Sequence, residues 1–368
     1  MTARYPFVLA RYPDPTVSEF SIRNRLREAW CKVHIRHEGL EPPLRPDGTR
    51  DQQAYLSLLD EVSVTGAALS RVNRRAKRYM ACYERRHEVS QLPSKIAEVI
   101  EPARHGVRLI QLPSEARADE IAAELHADYP GLGPCNELVW HAMRQSWRSG
   151  EPGLRLPPVL LVGAPGIGKS HWARRLATLI GVPSTEIDAA GENASFSVAG
   201  CQRGWGNAGP GRPVELILRE QVGNVLLVVD EIEKAVPARG TSGGTFNLTD
   251  GMLPLLEPAT SARWSCPYVR LPMDMSWINW VMTANGLQGL SAPFLSRCRI
   301  IELPPPSIDQ IAAFTRRVGR KRGLTNDMIE LSIEAMTRCF GKERQPNLRT
   351  ALRLLDNAVM MAARPLLH

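Results

Sequence analysis

Apolar positions fall into two textures along the 368 residues, and the change comes near residue 126. Beyond it, short apolar runs alternate with stretches of helical periodicity. The runs PPVLLVG (157–163), STEID (184–188), NVLLVVD (224–230), WINWVMT (277–283) and RIIEL (299–303) predict strands. A run such as VLLVV is apolar at every position rather than every second one, which predicts a strand covered on both faces. Strands separated by helical stretches predict an α/β fold with a parallel five-stranded sheet. After LPPPS (303–307) only helical periodicity remains, which predicts a small helical domain over 304–368. Residues 1–125 read as mostly helical, broken at GLEPPLRPDG (39–48) and PSEARAD (113–119). The expected organisation is a helical region at 1–125, an α/β core at 126–303 and a helical domain at 304–368. The chain has no internal repeat.

Composition narrows the class. A hydrophobic share of 43% with 23% charged residues is that of an ordinary globular protein. No run of about 18 apolar residues predicts a membrane span, and the N-terminus lacks the apolar core of a signal peptide. The seven cysteines are scattered and odd in number, which speaks against a secreted disulfide framework. A cytoplasmic protein is expected.

The net charge of +8 is compatible with an acidic or nucleic-acid partner but selects neither. SRVNRRAKRYMACYERRHEV (70–89) predicts a basic helix, in a region where residues 1–100 hold 17 Lys/Arg against 12 Asp/Glu. Such a run is ordinarily a solvated face, with nucleic-acid binding as the alternative. Cys31, His34, His37, Cys82 and His87 lack the paired C-x-x-C spacing of a zinc knuckle, so no zinc site is expected.

Two stretches carry chemistry. GAPGIGKS (163–170) follows an apolar strand and opens a helix, the context in which G-x-x-x-x-G-K-[ST] marks a phosphate-binding loop. Gly163, Pro165, Gly166, Ile167 and Gly168 would form the nucleotide-binding loop, whose glycines let backbone N–H groups face phosphate oxygens, aided by the helix N-terminus. Lys169 would neutralise the β- and γ-phosphates of ATP, and the Ser170 hydroxyl would ligate Mg²⁺. VLLVVDEIEK (225–234) is an apolar strand ending in acids. Asp230 suits Mg²⁺ and Glu231 suits polarising the attacking water, with Glu233 the next candidate.

These stretches and three others resemble AAA+ ATPases, specifically the ATPase module of Lon proteases, over about residues 126–360. GCQRGWGNAGPGR (200–212) is similar to the Lon pattern G-H-R-R-T-Y-[IV]-G-A-M-P-G-R at the same length, with Trp205 where Lon has Tyr. The stretch 258–285, ending in TAN, and LSAPFLSRCRIIEL (290–303) resemble Lon runs without a gap. The resemblance implies an AAA+ P-loop NTPase core with a C-terminal helical lid. It implies the sensor-1 role for Asn285 and the arginine finger for Arg297, with Arg299 as fallback. Arg349 takes the sensor-2 position of the lid, and Tyr129 and Leu132 border the adenine. A finger acting on a neighbour implies a homo-oligomer, as a ring. Trp205 becomes the substrate-gripping residue of a mobile loop.

The departures are as informative. The Ser–Lys peptidase domain that follows the lid in Lon is not expected, because the sequence reaches His368 directly after the lid helices. Gly206 stands where Lon has an aliphatic residue, the loop at 237–250 is rich in Gly, Ser and Thr, and residues 1–125 resemble nothing in Lon. The expected function is ATP-driven remodelling or translocation of a protein substrate. The alternatives are a nucleic-acid-associated ATPase and a nucleotide-gated assembly switch.

Overall fold

Residues 159–162, 226–229 and 279–284 are buried at every position. Side chains shielded on both faces need layers on both sides, and these runs form the inner strands of a five-stranded sheet. The strands are β1 (Val159–Gly163), β2 (Ser184–Asp188), β3 (Leu226–Asp230), β4 (Asn279–Ala284) and β5 (Arg299–Leu303). Their order is β5-β1-β4-β3-β2 and every neighbouring pair is parallel. The edge strands β2 and β5 carry the sheet's Glu and Arg residues, which discourages further pairing. In this computed structural model the described residues are 4–40, 51–191, 194–204, 208–235, 238–239, 245–339 and 347–362. No helix among them is long and apolar enough to cross a membrane.

The parallel register brings the strand ends together. Thr283 of β4 lies opposite Leu161 of β1, and Asp188 of β2 opposite Asp230 of β3. Open parallel sheets bind ligands beyond these carboxyl ends, where the strand order reverses. At the other end, two buried asparagines tie in the preceding segment. Asn224 accepts from the Ile110 amide at 2.9 Å and donates to the Leu154 carbonyl at 3.1 Å, and Asn279 accepts from the Leu156 amide at 2.7 Å.

Those ties place the domain division elsewhere than residue 125. That position lies inside the helix Glu115–Asp128, whose Ala118, Ile121 and Leu125 belong to the same buried cluster as Val159, Leu161 and Trp172. The chain divides into residues 10–101 and a second unit of residues 1–9 with 102–368. Residues 4–9 join the second unit because Phe7 is buried and the Leu9 amide donates to the Pro272 carbonyl at 2.9 Å. The sequence texture changes at 126 because strand alternation starts there, although the helix Glu115–Asp128 already packs into the core of the sheet.

In residues 10–101, the helices Glu19–His37 and Gly66–Arg86 pack through Cys31, Val64, Ala68 and Val72. In the second unit, three helices after the sheet, Ile308–Lys321, Asn326–Cys339 and Leu348–Ala362, close on a core of Ile311, Ile329, Ile333, Met336 and Ala351. A Cβ at Gly319 would stand 2.6 Å from Ile329 Cγ1, so glycine is what lets the first two approach.

Candidate active site

The Gly-rich loop leaves β1 and enters the helix Lys169–Ile180. Gly166 has φ +81° and Gly168 has φ +99°, backbone conformations that a side chain would strain. Ile167 anchors the loop in the sheet core, and the Gly166 carbonyl accepts from the Leu348 amide of the last helix at 2.9 Å. Lys169 is buried at the mouth of the loop, where its Nζ donates to the carbonyls of Gly163 (2.6 Å) and Ala164 (3.2 Å) and to Asn285 Oδ1 (3.3 Å). Burial pushes its ammonium below the ordinary value, against the upward pull of Asp230, Glu233 and Glu231.

The acids meet it from β3. Asp230 Oδ1 accepts from the Ser170 hydroxyl at 2.7 Å and also from the Thr283 hydroxyl. Thr283 in turn accepts from the Glu231 amide at 3.1 Å. Glu231 adopts φ 53° and ψ 47°, the left-handed region that costs a non-glycine residue about 1–2 kcal/mol. Its carboxylate pairs with Lys234 at 2.8 Å. Asn285 links Lys169 to Glu233, because its Oδ1 accepts from the lysine and its Nδ2 donates to Glu233 Oε1 at 2.8 Å, while Glu233 Oε2 is buried with no partner among the described residues.

Lys169, Ser170, Asp230, Glu231, Thr283 and Asn285 line one cleft of ≈ 660 Å³ whose other walls include Tyr129, His171 and the lid residues Phe314, Val318, Leu348, Arg349 and Leu352. Tyr129 is buried, which pushes its phenol up to about 12 and keeps it protonated, and its hydroxyl is hydrogen-bonded to His171 Nδ1. Arg317 of the lid donates to the carbonyls of Ala127 and Asp128. Arg349 is exposed at the cleft and forms no ion pair with a described residue.

The arrangement fits a nucleotide with its metal. A cationic, glycine-cradled end suits phosphates, and an apolar wall suits a base. Ser170 and Asp230 offer hard oxygen donors, the chemistry Mg²⁺ takes, and no three His, Cys, Asp or Glu side chains among the described residues form a metal cluster of their own.

Comparison with known families agrees with this geometry. The model of the ATPase family associated with various cellular activities (AAA) matches residues 159–305. Residues 159–305 are an AAA ATPase domain. The chain is 28% identical over 208 residues to the peroxisomal Lon protease homolog 2 of Pichia angusta, which covers 55% of this chain and 22% of that protein. It is 26% identical over 225 residues to the Lon protease of Halothermothrix orenii, covering 60% and 28%. With the peroxisomal Lon protease homolog 2 of Spinacia oleracea it shares 29% over 242 residues, covering 62% and 26%. The chain thus spans less than a third of the length of these relatives, and the similarity falls on an ATP-hydrolysing, nucleotide-binding module.

Some expected residues lie outside the cleft of this AAA domain. Leu132 is buried behind Tyr129 and lines a separate narrow cavity with Ile167 and Phe314. Arg297 donates to Glu257 at 2.7 Å and to the Pro293 carbonyl at 2.8 Å. It precedes β5, and Arg299 pairs with Val159 at the start of β1, so both arginines sit at the opposite end of the sheet from the Gly-rich loop. A five-residue strand separates the two ends by about 16 Å. There the two arginines line a depression of ≈ 1060 Å³ with His141 and Glu257. Trp205 and Gly206 fall outside the described residues, as do residues 237 and 240–244 of the loop at 237–250.

Thr283 is the functional side chain that sequence reasoning missed. It reads as one more residue of an apolar run, although a hydroxyl in such a run needs a buried partner. Thr283→Val keeps the shape but leaves the Glu231 amide unpaired and frees Asp230, a loss of about 1–3 kcal/mol. The expected result is near-normal ATP affinity with turnover lowered by about 10- to 100-fold. Equilibrium nucleotide titration beside steady-state hydrolysis checks it.

Proposed function

We propose that the chain couples ATP binding and hydrolysis to remodelling or translocation of a protein substrate, as a ring of identical subunits in the cytoplasm. The observation that carries the hydrolytic part is the meeting of Lys169, Ser170, Asp230, Glu231 and Asn285 in one cleft bordered by Arg349. In this reading Lys169 neutralises the β- and γ-phosphates, and the amides of the Gly-rich loop hold their oxygens. Ser170 and Asp230 hold Mg²⁺, which when bound neutralises charge on the phosphates. Glu231 takes a proton from the attacking water, Asn285 orients that water, and Tyr129 borders the base, with Leu132 packed behind it. Arg349 reports the nucleotide to the lid.

Arg297 acts on the neighbouring subunit's nucleotide, with Arg299 as the fallback. Its place at the far end of the sheet supports action in trans, because it has no route to the cleft of its own chain. The protein-substrate part rests on the relatives being Lon proteases and on GCQRGWGNAGPGR, where an indole on a glycine-rich loop could press on many side chains without reading sequence.

Glu231→Gln tests both parts. The amide keeps the size of the carboxylate but cannot accept a proton, so the variant retains ATP and loses turnover. Held in the ATP state, it should retain a chemically unfolded polypeptide, which should also stimulate hydrolysis by the wild type. Trp205→Ala should keep basal hydrolysis and lose that stimulation. Wild-type hydrolysis in Glu231→Gln moves the base to Glu233. Self-assembly with no polypeptide retained would overturn the remodelling reading.

A further inference from the structure

The cations of the helix Gly66–Arg86 are not spread around it. Seven of its residues are Lys or Arg and one, Glu84, is acidic. At 3.6 residues per turn, Arg71, Arg74, Arg75, Arg78, Arg85 and Arg86 fall within about 120° of one face, and the stripe runs about 22 Å. All six are exposed. Among the described residues, Arg71, Arg74, Arg75, Arg78 and Arg86 have no ion-pair partner, and the Arg85 side chain bonds only to the Ala81 carbonyl of its own helix at 3.0 Å. Like charges three and four residues apart repel, so this face destabilises its own helix until an anion covers it. Tyr79 stands at the edge of the stripe, 50% exposed, with its ring stacked on Tyr83 at 6.4 Å.

We infer that this face binds the phosphate backbone of nucleic acid. A row of guanidinium groups along one face matches a polymer with a charge at every unit, and guanidinium forks pair bidentately with phosphate. The exposed tyrosine beside them offers a ring on which an unpaired base can stack. An anionic membrane fits less well. A surface helix inserts an apolar side, and the apolar side of this one, Ala68, Val72 and Ala76, is already buried. This face lies in residues 10–101 and shares no residue with the nucleotide cleft, so the inference stands or falls apart from the ATPase reading.

The test is binding of the full chain to fluorescein-labelled DNA of about 25 nucleotides, single-stranded and duplex, across a salt series. Four phosphate contacts predict a log–log salt slope of about −3.6 on duplex, or about 100-fold weaker binding from 50 to 200 mM salt. The variant R71Q/R74Q/R75Q/R78Q should remove most of that slope while basal ATP turnover stays at the wild-type level. Tyr79→Ala should weaken single-strand binding by about 10-fold and leave the slope unchanged. The inference is overturned if the wild type does not bind DNA at low salt, or if the fourfold variant keeps the slope. It is also overturned if polyglutamate or phosphatidylserine vesicles bind through these arginines as strongly as DNA, which would point to an acidic protein or a membrane.

Discussion

Lys169→Ala should weaken ATP binding by about 10²–10³-fold, the loss expected when one member of a buried charge pair is removed. The ammonium is already in place before any nucleotide arrives, held by the Gly163 and Ala164 carbonyls at 2.6 and 3.2 Å. Its deletion leaves Asp230, Glu231 and Glu233 facing incoming phosphates with no buried cation between them, and Arg349 is exposed and cannot replace it. The loop amides still point at the phosphates, but a dipole falls short of a full charge in a water-poor cleft. Isothermal titration with a non-hydrolysable analogue measures the effect, and a thermal melt separates it from loss of fold. Unchanged affinity would sink the assignment of this loop to phosphate binding.

Arg297→Ala should lower hydrolysis by about 10³-fold with ATP affinity nearly unchanged, the size of effect found for arginines that act in trans. Its own cleft lies across the sheet, and the Glu257 carboxylate at 2.7 Å holds it ready on the opposite surface. The defect should therefore be complemented. In mixed rings of Arg297→Ala and Glu231→Gln subunits, about a quarter of the sites combine an intact cleft with an intact finger from the neighbour, and activity should return to that fraction. Two inactive variants that stay inactive on mixing would defeat the shared-site model. Normal turnover by Arg297→Ala alone would move the role to Arg299.

Much of this was legible along the chain. All five strand runs read from apolar patterning became the five strands of the parallel sheet, within three residues at each end. The reason is local: a residue buried on both faces must be apolar whatever its neighbours are, so the inner strands announce themselves. The Gly-rich loop is equally local, because the positive φ of Gly166 and Gly168 is a property of the loop itself.

What tertiary structure decided depends on partners far apart in sequence. The helix Glu115–Asp128 belongs to the sheet-bearing unit because Ile121 and Leu125 pack there, which no periodicity before residue 126 could state. Tyr129 and Arg349 became cleft residues only when the lid closed on the Gly-rich loop through Leu348. Thr283 joins Asp230 and Glu231 because β4 pairs with β3 in one parallel register; a shift of one residue would turn its hydroxyl to the other face of the sheet. The sequence by itself thus determined which segments are strands and which loop can cradle phosphate, since burial and backbone freedom act on single residues. The structure determined which side chains converge there, since convergence is set by register and packing between segments that the chain order keeps apart.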